Sequence, residues 1–422
     1  MRIVSPEKMF LVTSVGYIAI LAISPLVVAY PLGLDAAFFL LVLWLSFFLG
    51  CLFVRVLPRR RSGANNVQAT LYAKYSSKTL FLVNALAILG ISLRIYDRFF
   101  VRGIDLFGGF DNRELLMEQG GNIFATLGGI FYPFCYLGLF LATSGPRQSQ
   151  SKLLILFSTI LFFYPSFDAI ISSSRSVFVF NLIFYILILI YRERLRFRFF
   201  HLALISISAV GIFIFLGHIF LTRLSAMEIS FLFSAYNSVY AFTVKPSPYI
   251  IEMIRNSDGG FLYLLMVAWL HISQYLIHGI FEFGYLYHNF VGNHQYGAMQ
   301  FWIYLKAMYL LMDEPVSNDF MLVIPRTGTF TTAFGPVFID FGILSPIFLF
   351  LLGVGSRLLY QKSLSKSEAY IPLYFFVVIF IILSPMINLF VSAHGAYVLV
   401  ALLLFPLFAR PRFVPLAHVA PR

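Results

Sequence analysis

Residues 271–282 read HISQYLIHGIFE, and they break a long apolar run with a stripe of polar side chains. At about 100° per residue, His271, Gln274, His278 and Glu282 fall within about 80° of one another on a helical wheel, with Tyr275 beside them. His278 and Glu282 are four apart and within reach of each other, so the pair has the chemistry to deprotonate an alcohol, either with Glu282 orienting His278 or with Glu282 as the base. The same stripe also reads as the wetted face of an amphipathic helix at a membrane boundary. A metal centre is not expected, because a seven-residue gap separates His271 from His278 by about 10 Å along the axis. Asp340 is the third catalytic candidate. It lies several residues into an apolar run, where an ionised carboxylate is costly without a partner, so it either serves a substrate hydroxyl or locks neighbouring helices together.

Three arginines carry a different chemistry. Arg175 stands in SSSRSVFVFN between two apolar segments, Arg223 follows GHIFLT, and Arg326 precedes TGTFTTAFG. A guanidinium keeps its charge and presents a rigid fork of donors that suits phosphate oxygens, and serines around Arg175 offer hydroxyls or a helix N-terminus that also favours anions. The hydropathy plan puts all three at the same external depth, where together they would clamp a diphosphate. Taken singly, each also reads as an arginine reaching for external headgroups, and Arg175 has Asp168 on the same hairpin as a partner.

The elements that must position these residues are membrane helices. Of the 422 residues, 60% are hydrophobic and 11% charged, far from the quarter or so charged of a soluble protein. Apolar runs long enough to cross a bilayer fall at about 9–30, 34–57, 79–96, 121–143, 153–172, 176–191, 201–222, 332–356, 369–389 and 391–409. The fold class expected is therefore an all-α polytopic membrane protein with about ten transmembrane helices in one membrane domain, residues 1–422. The first run is too long for a signal-peptide core and reads as the first span. Cys51 and Cys135 both sit in apolar segments, where they serve as small core residues.

Charge orients the chain. The N-terminus, Arg55, alternate loops and the C-terminal tail hold 20 of the 30 Lys and Arg residues but only three acids, Glu7, Glu193 and Glu368. That is +17 on one side against −5 on the other, which meets the overall +12. The positive-inside bias places both termini in the cytoplasm. The basic residues are topology determinants and lipid-headgroup neighbours, and nucleic acid is not a partner. Two long external segments remain, a loop at 97–120 and a large segment at 223–331 whose helices lie on or dip into the membrane. If the apolar stretches 261–281 and 297–312 form a hairpin instead, the count becomes twelve.

Three features of the chain resemble the Wzy-type polymerases of bacterial O-antigens and related polysaccharides. They are SSSRSVFVFNLIFYILILIYRER, the large external segment after Arg223, and TGTFTTAFGPVFIDFGILSPIFLFLLGVG opening the next span. The resemblance implies an inverting glycosyltransferase of GT-C-like fold without a cofactor, in the bacterial inner membrane with its active site facing outward. The donor would be a glycan on undecaprenyl diphosphate and the acceptor a new lipid-linked repeat unit. A chain-length-regulating co-polymerase and a flippase would be partners. Arg175, Arg223 and Arg326 would hold the leaving diphosphate. The paired Arg-x10-Gly motifs of some members are matched only by Arg98 and Gly109. An O-antigen ligase and a lipid-linked oligosaccharide flippase are the alternatives. The family pattern does not fix the base, and His278, Glu282 and Asp340 are candidates from their chemistry alone.

Overall fold

The computed structural model describes residues 4–56, 71–105, 112, 115–116, 121–144, 151–171, 174–192, 231–257, 260–312, 324–365, 368–409 and 412–415. In chain order the helices are α1 Pro6–Ala22, α2 Leu34–Val56, α3 Ser77–Ile95, α4 Ile123–Phe131, α5 Phe134–Ala142, α6 Lys152–Ile171, α7 Arg175–Tyr191, α8 Phe231–Asn237, α9 Pro248–Arg255, α10 Phe261–Asn289, α11 Trp302–Leu311, α12 Phe334–Phe341, α13 Ser345–Ser365, α14 Ile371–Leu383 and α15 Ala393–Phe408. Among the described residues there are also two short antiparallel pairs: β1 Leu26–Val28 with β3 Val244–Pro246, and β2 Leu71–Lys74 with β4 Arg412–Pro415. Among the described residues six helical segments are long and apolar enough to cross a membrane, and α7, α14 and α15 are shorter apolar helices. The chain is an all-α membrane protein.

Helix α2 illustrates why. One face buries Ala36, Leu40, Leu43, Phe47, Gly50, Cys51 and Val54, while Phe38, Leu41, Leu45, Leu49 and Phe53 stand exposed on the other. Both faces are apolar, so the solvent on the outer one is lipid. Its buried face meets α13 at a close crossing. A Cβ on Gly50 would come 2.1 Å from the Phe350 carbonyl oxygen, and one on Gly353 would come 2.2 Å from that of Phe47. Small residues let two backbones approach where no hydrophobic force holds helices together in lipid.

Several expected runs are reshaped. The first, 9–30, ends as a helix at Ala22, because Pro25 follows and residues 26–28 turn to pair with β3. The run at 121–143 is broken at Pro133 into α4 and α5. The run beginning at 332 bends at Gly342, whose φ of +51° suits glycine, and where a Cβ would strike the His294 ring. Residues 261–289, expected within an external segment, form one continuous helix of 29 residues that is long and apolar enough to cross the membrane. The run at 201–222 lies outside the described residues.

Below the site, buried amides tie the helices together. Asn84 of α3 donates to Ser158 of α6 at 3.4 Å, and Asn181 of α7 donates to Ser166 and to the Phe162 carbonyl of α6. Such interhelical bonds fix rotation as well as distance. Cys51 and Cys135 are buried free thiols.

Candidate functional site

Helix α3 does not stop at its last apolar turn. It continues as a π-helical turn, Tyr96–Val101, through the sequence RIYDRFFVR. The widened turn keeps Arg94, Arg98 and Arg102, spaced four apart, on one face, where all three line a cavity of about 540 Å³. The opposite face carries Tyr96 and Phe100, stacked on each other and exposed. Arginines therefore point inward and aromatic rings outward along one short stretch.

Close helix contact sets the depth of the arginines. A Cβ on Gly90 would lie 2.0 Å from the Tyr132 nitrogen, and one on Gly128 would lie 2.7 Å from Arg94 Cγ. This approach lays the Arg94 guanidinium over the Tyr132 ring at 4.6 Å. Two carboxylates hold the fork-shaped groups in place. Asp168 of α6 accepts from Arg94 at 2.5 Å and from Arg98 at 3.2 Å, and Asp97 accepts from Arg102 at 2.9 Å and from Asn122.

The cavity has further walls. Lys306 of α11 lines it, as do His394 and Tyr397 of α15 and Ser174 and Ser176 around the start of α7. Among the described residues that line it, four cations stand with two carboxylates in a largely buried space. The first turns of α4, α7 and α15 all reach the cavity, so three helix N-termini add their positive dipole ends. Asn122 and Ser392 cap their own helices with side-chain oxygens, whereas Ser174 makes no such bond at α7. The arrangement suits a multiply charged anion held by bidentate guanidinium contacts.

Of the residues expected from sequence, Arg175 opens α7 beside the cavity-lining Ser174 and Ser176. Arg223 lies outside the described residues, as does Gly109. Arg326 does not line the cavity. Its Nε is 3.4 Å from Glu282, its Nη2 donates to the Val239 carbonyl at 2.7 Å, and it stacks over Phe242 at 3.9 Å.

Glu282 and His278 do share a face of α10, as the spacing requires, but that face is inside the protein. Glu282 is 1% exposed and accepts from Thr243 at 3.1 Å and Thr329 at 3.5 Å, besides its contact with Arg326. His278 is fully buried against Tyr240, with Nδ1 on the Gln274 carbonyl. Gln274 in turn donates to the carbonyls of Ala235 and Val244. The stripe fastens the segment 235–244 and the loop 326–330 to α10. Asp340 is fully buried elsewhere, where its two oxygens accept from the amides of Met299 and Gln300, both at 2.9 Å. Among the described residues no group of His, Cys, Asp and Glu side chains is arranged to hold a metal ion.

Sequence reasoning missed the Arg94, Arg98, Arg102 ladder, Lys306 and His394. The four-residue arginine spacing at the end of a span was the available signal. Comparison with known proteins returns no matching family model, no matching curated protein and no matching solved structure.

Proposed function

We propose that the chain polymerises lipid-linked oligosaccharide repeat units, moving a glycan from undecaprenyl diphosphate onto a hydroxyl of a new lipid-linked repeat. One observation carries this reading: a cavity lined by three arginines, a lysine and the first turns of three helices, at the ends of apolar helices. A diphosphate attached to a membrane lipid has the charge and the location that such a cavity suits. The residues at 94–102, 121–126, 165–177 and 389–397 all lie at span ends that the charge asymmetry assigns to the outside. Nucleotide sugars are absent there, so the lipid carrier must supply the activated sugar. On this reading the chain is an inner-membrane glycosyltransferase of GT-C-like architecture with about ten spans, or twelve with α10 and α11 as a hairpin.

The diphosphate-binding set becomes Arg94, Arg98, Arg102 and Lys306, with the α7 N-terminus at Arg175. Charge fixed in advance of the reaction stabilises the diphosphate as it leaves, which lowers the barrier without a metal. A single in-line displacement inverts the anomeric carbon. The test is deletion of the gene in its host, with surface glycan resolved on a gel. Loss of the ladder with one repeat still attached to the core supports polymerisation. Polymer stranded on the carrier with bare core indicates a ligase, and repeat units trapped on the cytoplasmic side indicate a flippase; either overturns the reading.

A further inference from the structure

The transfer needs a group to take the acceptor's proton, and the cavity's charged residues are poor choices. Arginines do not give up their charge, and the oxygens of Asp97 and Asp168 are taken by guanidinium groups. His394 is the one imidazole among the described residues lining the cavity. Its surroundings are specific. The Tyr132 hydroxyl is hydrogen-bonded to Nδ1, the Tyr136 hydroxyl lies 3.3 Å from Nε2, and Phe180 sits edge-on to the ring at 4.9 Å. Tyr136 is fully buried in the helix interior, whereas Tyr132 lines the cavity with its ring under Arg94. The Nε2 edge therefore faces the core, and Nδ1 communicates with the cavity through a phenol.

We propose that Tyr132 and His394 form a proton relay for the glycosyl transfer, resting on the polymerase reading above. The acceptor hydroxyl gives its proton to the Tyr132 oxygen as the phenol proton passes to His394 Nδ1. The acceptor oxygen forms its bond to the anomeric carbon while the carbon–oxygen bond to the diphosphate breaks. Those bonding electrons leave with undecaprenyl diphosphate, whose added charge rests on Arg98, Arg102 and Lys306. The imidazolium then returns its proton through Tyr132 to water when product departs. Tyr132 touches the acceptor and His394 stores the proton, so neither group alone completes the step.

The test uses the purified full chain in detergent with lipid-linked repeat units extracted from the deletion strain. Initial extension rate and affinity for farnesyl diphosphate are measured for wild type, Tyr132→Phe, His394→Gln and the double variant. Each single variant is expected to lower the rate by about 10²- to 10⁴-fold, the range for positioned acid–base groups. The double variant should be no slower than the worse single one, because the two act as a unit. Farnesyl diphosphate affinity should stay at the wild-type value in all three. A wild-type rate in Tyr132→Phe overturns the relay, as does parallel loss of rate and diphosphate affinity, which would mark the pair as structural. A wild type that binds farnesyl diphosphate yet never extends a chain overturns the polymerase reading, and the relay with it.

Discussion

Replacing Arg98 by Gln separates the two arginine assignments, because Arg98 lines the cavity and Arg326 does not. The substitution keeps a long polar side chain but removes one positive charge from the cavity lining. Asp168 retains Arg94 as a partner at 2.5 Å, so the carboxylate is not stranded. A hydrogen bond to a charged group in such a setting contributes about 1.5–3 kcal/mol. At about 1.4 kcal/mol per decade, farnesyl diphosphate should bind roughly 10- to 100-fold more weakly. Titration calorimetry on the purified protein reads this directly. Arg326→Gln is the matched control, since it removes the same charge from a site committed to Glu282, Val239 and Phe242. Its affinity for farnesyl diphosphate should equal that of wild type. Weak binding by Arg326→Gln together with normal binding by Arg98→Gln would refute the placement of the diphosphate.

The other predictions concern how the site is held. Asp340→Ala leaves the Met299 and Gln300 amides without their acceptors, so thermal unfolding should report a loss of about 2–4 kcal/mol while farnesyl diphosphate affinity stays unchanged. Gly90→Val puts side-chain carbon where the Tyr132 backbone lies, and it should lower both the melting temperature and farnesyl diphosphate affinity, because α3 and α4 cannot then meet at that depth. Gly50→Leu acts on the crossing of α2 and α13, neither of which lines the cavity, and should cost stability by overpacking while leaving affinity per folded molecule intact.

Local pattern reveals some of this site and hides the rest. Helix faces follow directly from spacing, and His278 and Glu282 are indeed neighbours on α10. What a face touches is not a local property. The same polar stripe suits water, substrate or the backbone carbonyls of a distant segment, and here the Ala235 and Val244 carbonyls and the loop with Arg326 take it. The arginine ladder was hidden for the opposite reason. At the end of an apolar run, Arg94, Arg98 and Arg102 look like ordinary anchors to headgroups, and the π-helical turn that aims them inward leaves no plain mark in composition. Their meaning appears only when α4, α6, α7, α11 and α15 close around them. Arg175 stands out in the sequence as an arginine among serines at the start of an apolar run, and α7 begins there, beside the cavity-lining Ser174 and Ser176. The break at Pro133 and the bend at Gly342 were both visible as residue types, but hydropathy averaging passes over single residues.

The central claim is that this cavity binds the diphosphate of a lipid-linked glycan during chain growth. Reconstituted wild-type protein, given undecaprenyl-diphosphate-linked repeat units from the deletion strain, should convert them to a ladder of longer lipid-linked chains on a gel, and Arg98→Gln should not do so at the same substrate concentration. Unextended repeat units with the wild type, or an undiminished ladder with Arg98→Gln, would contradict it.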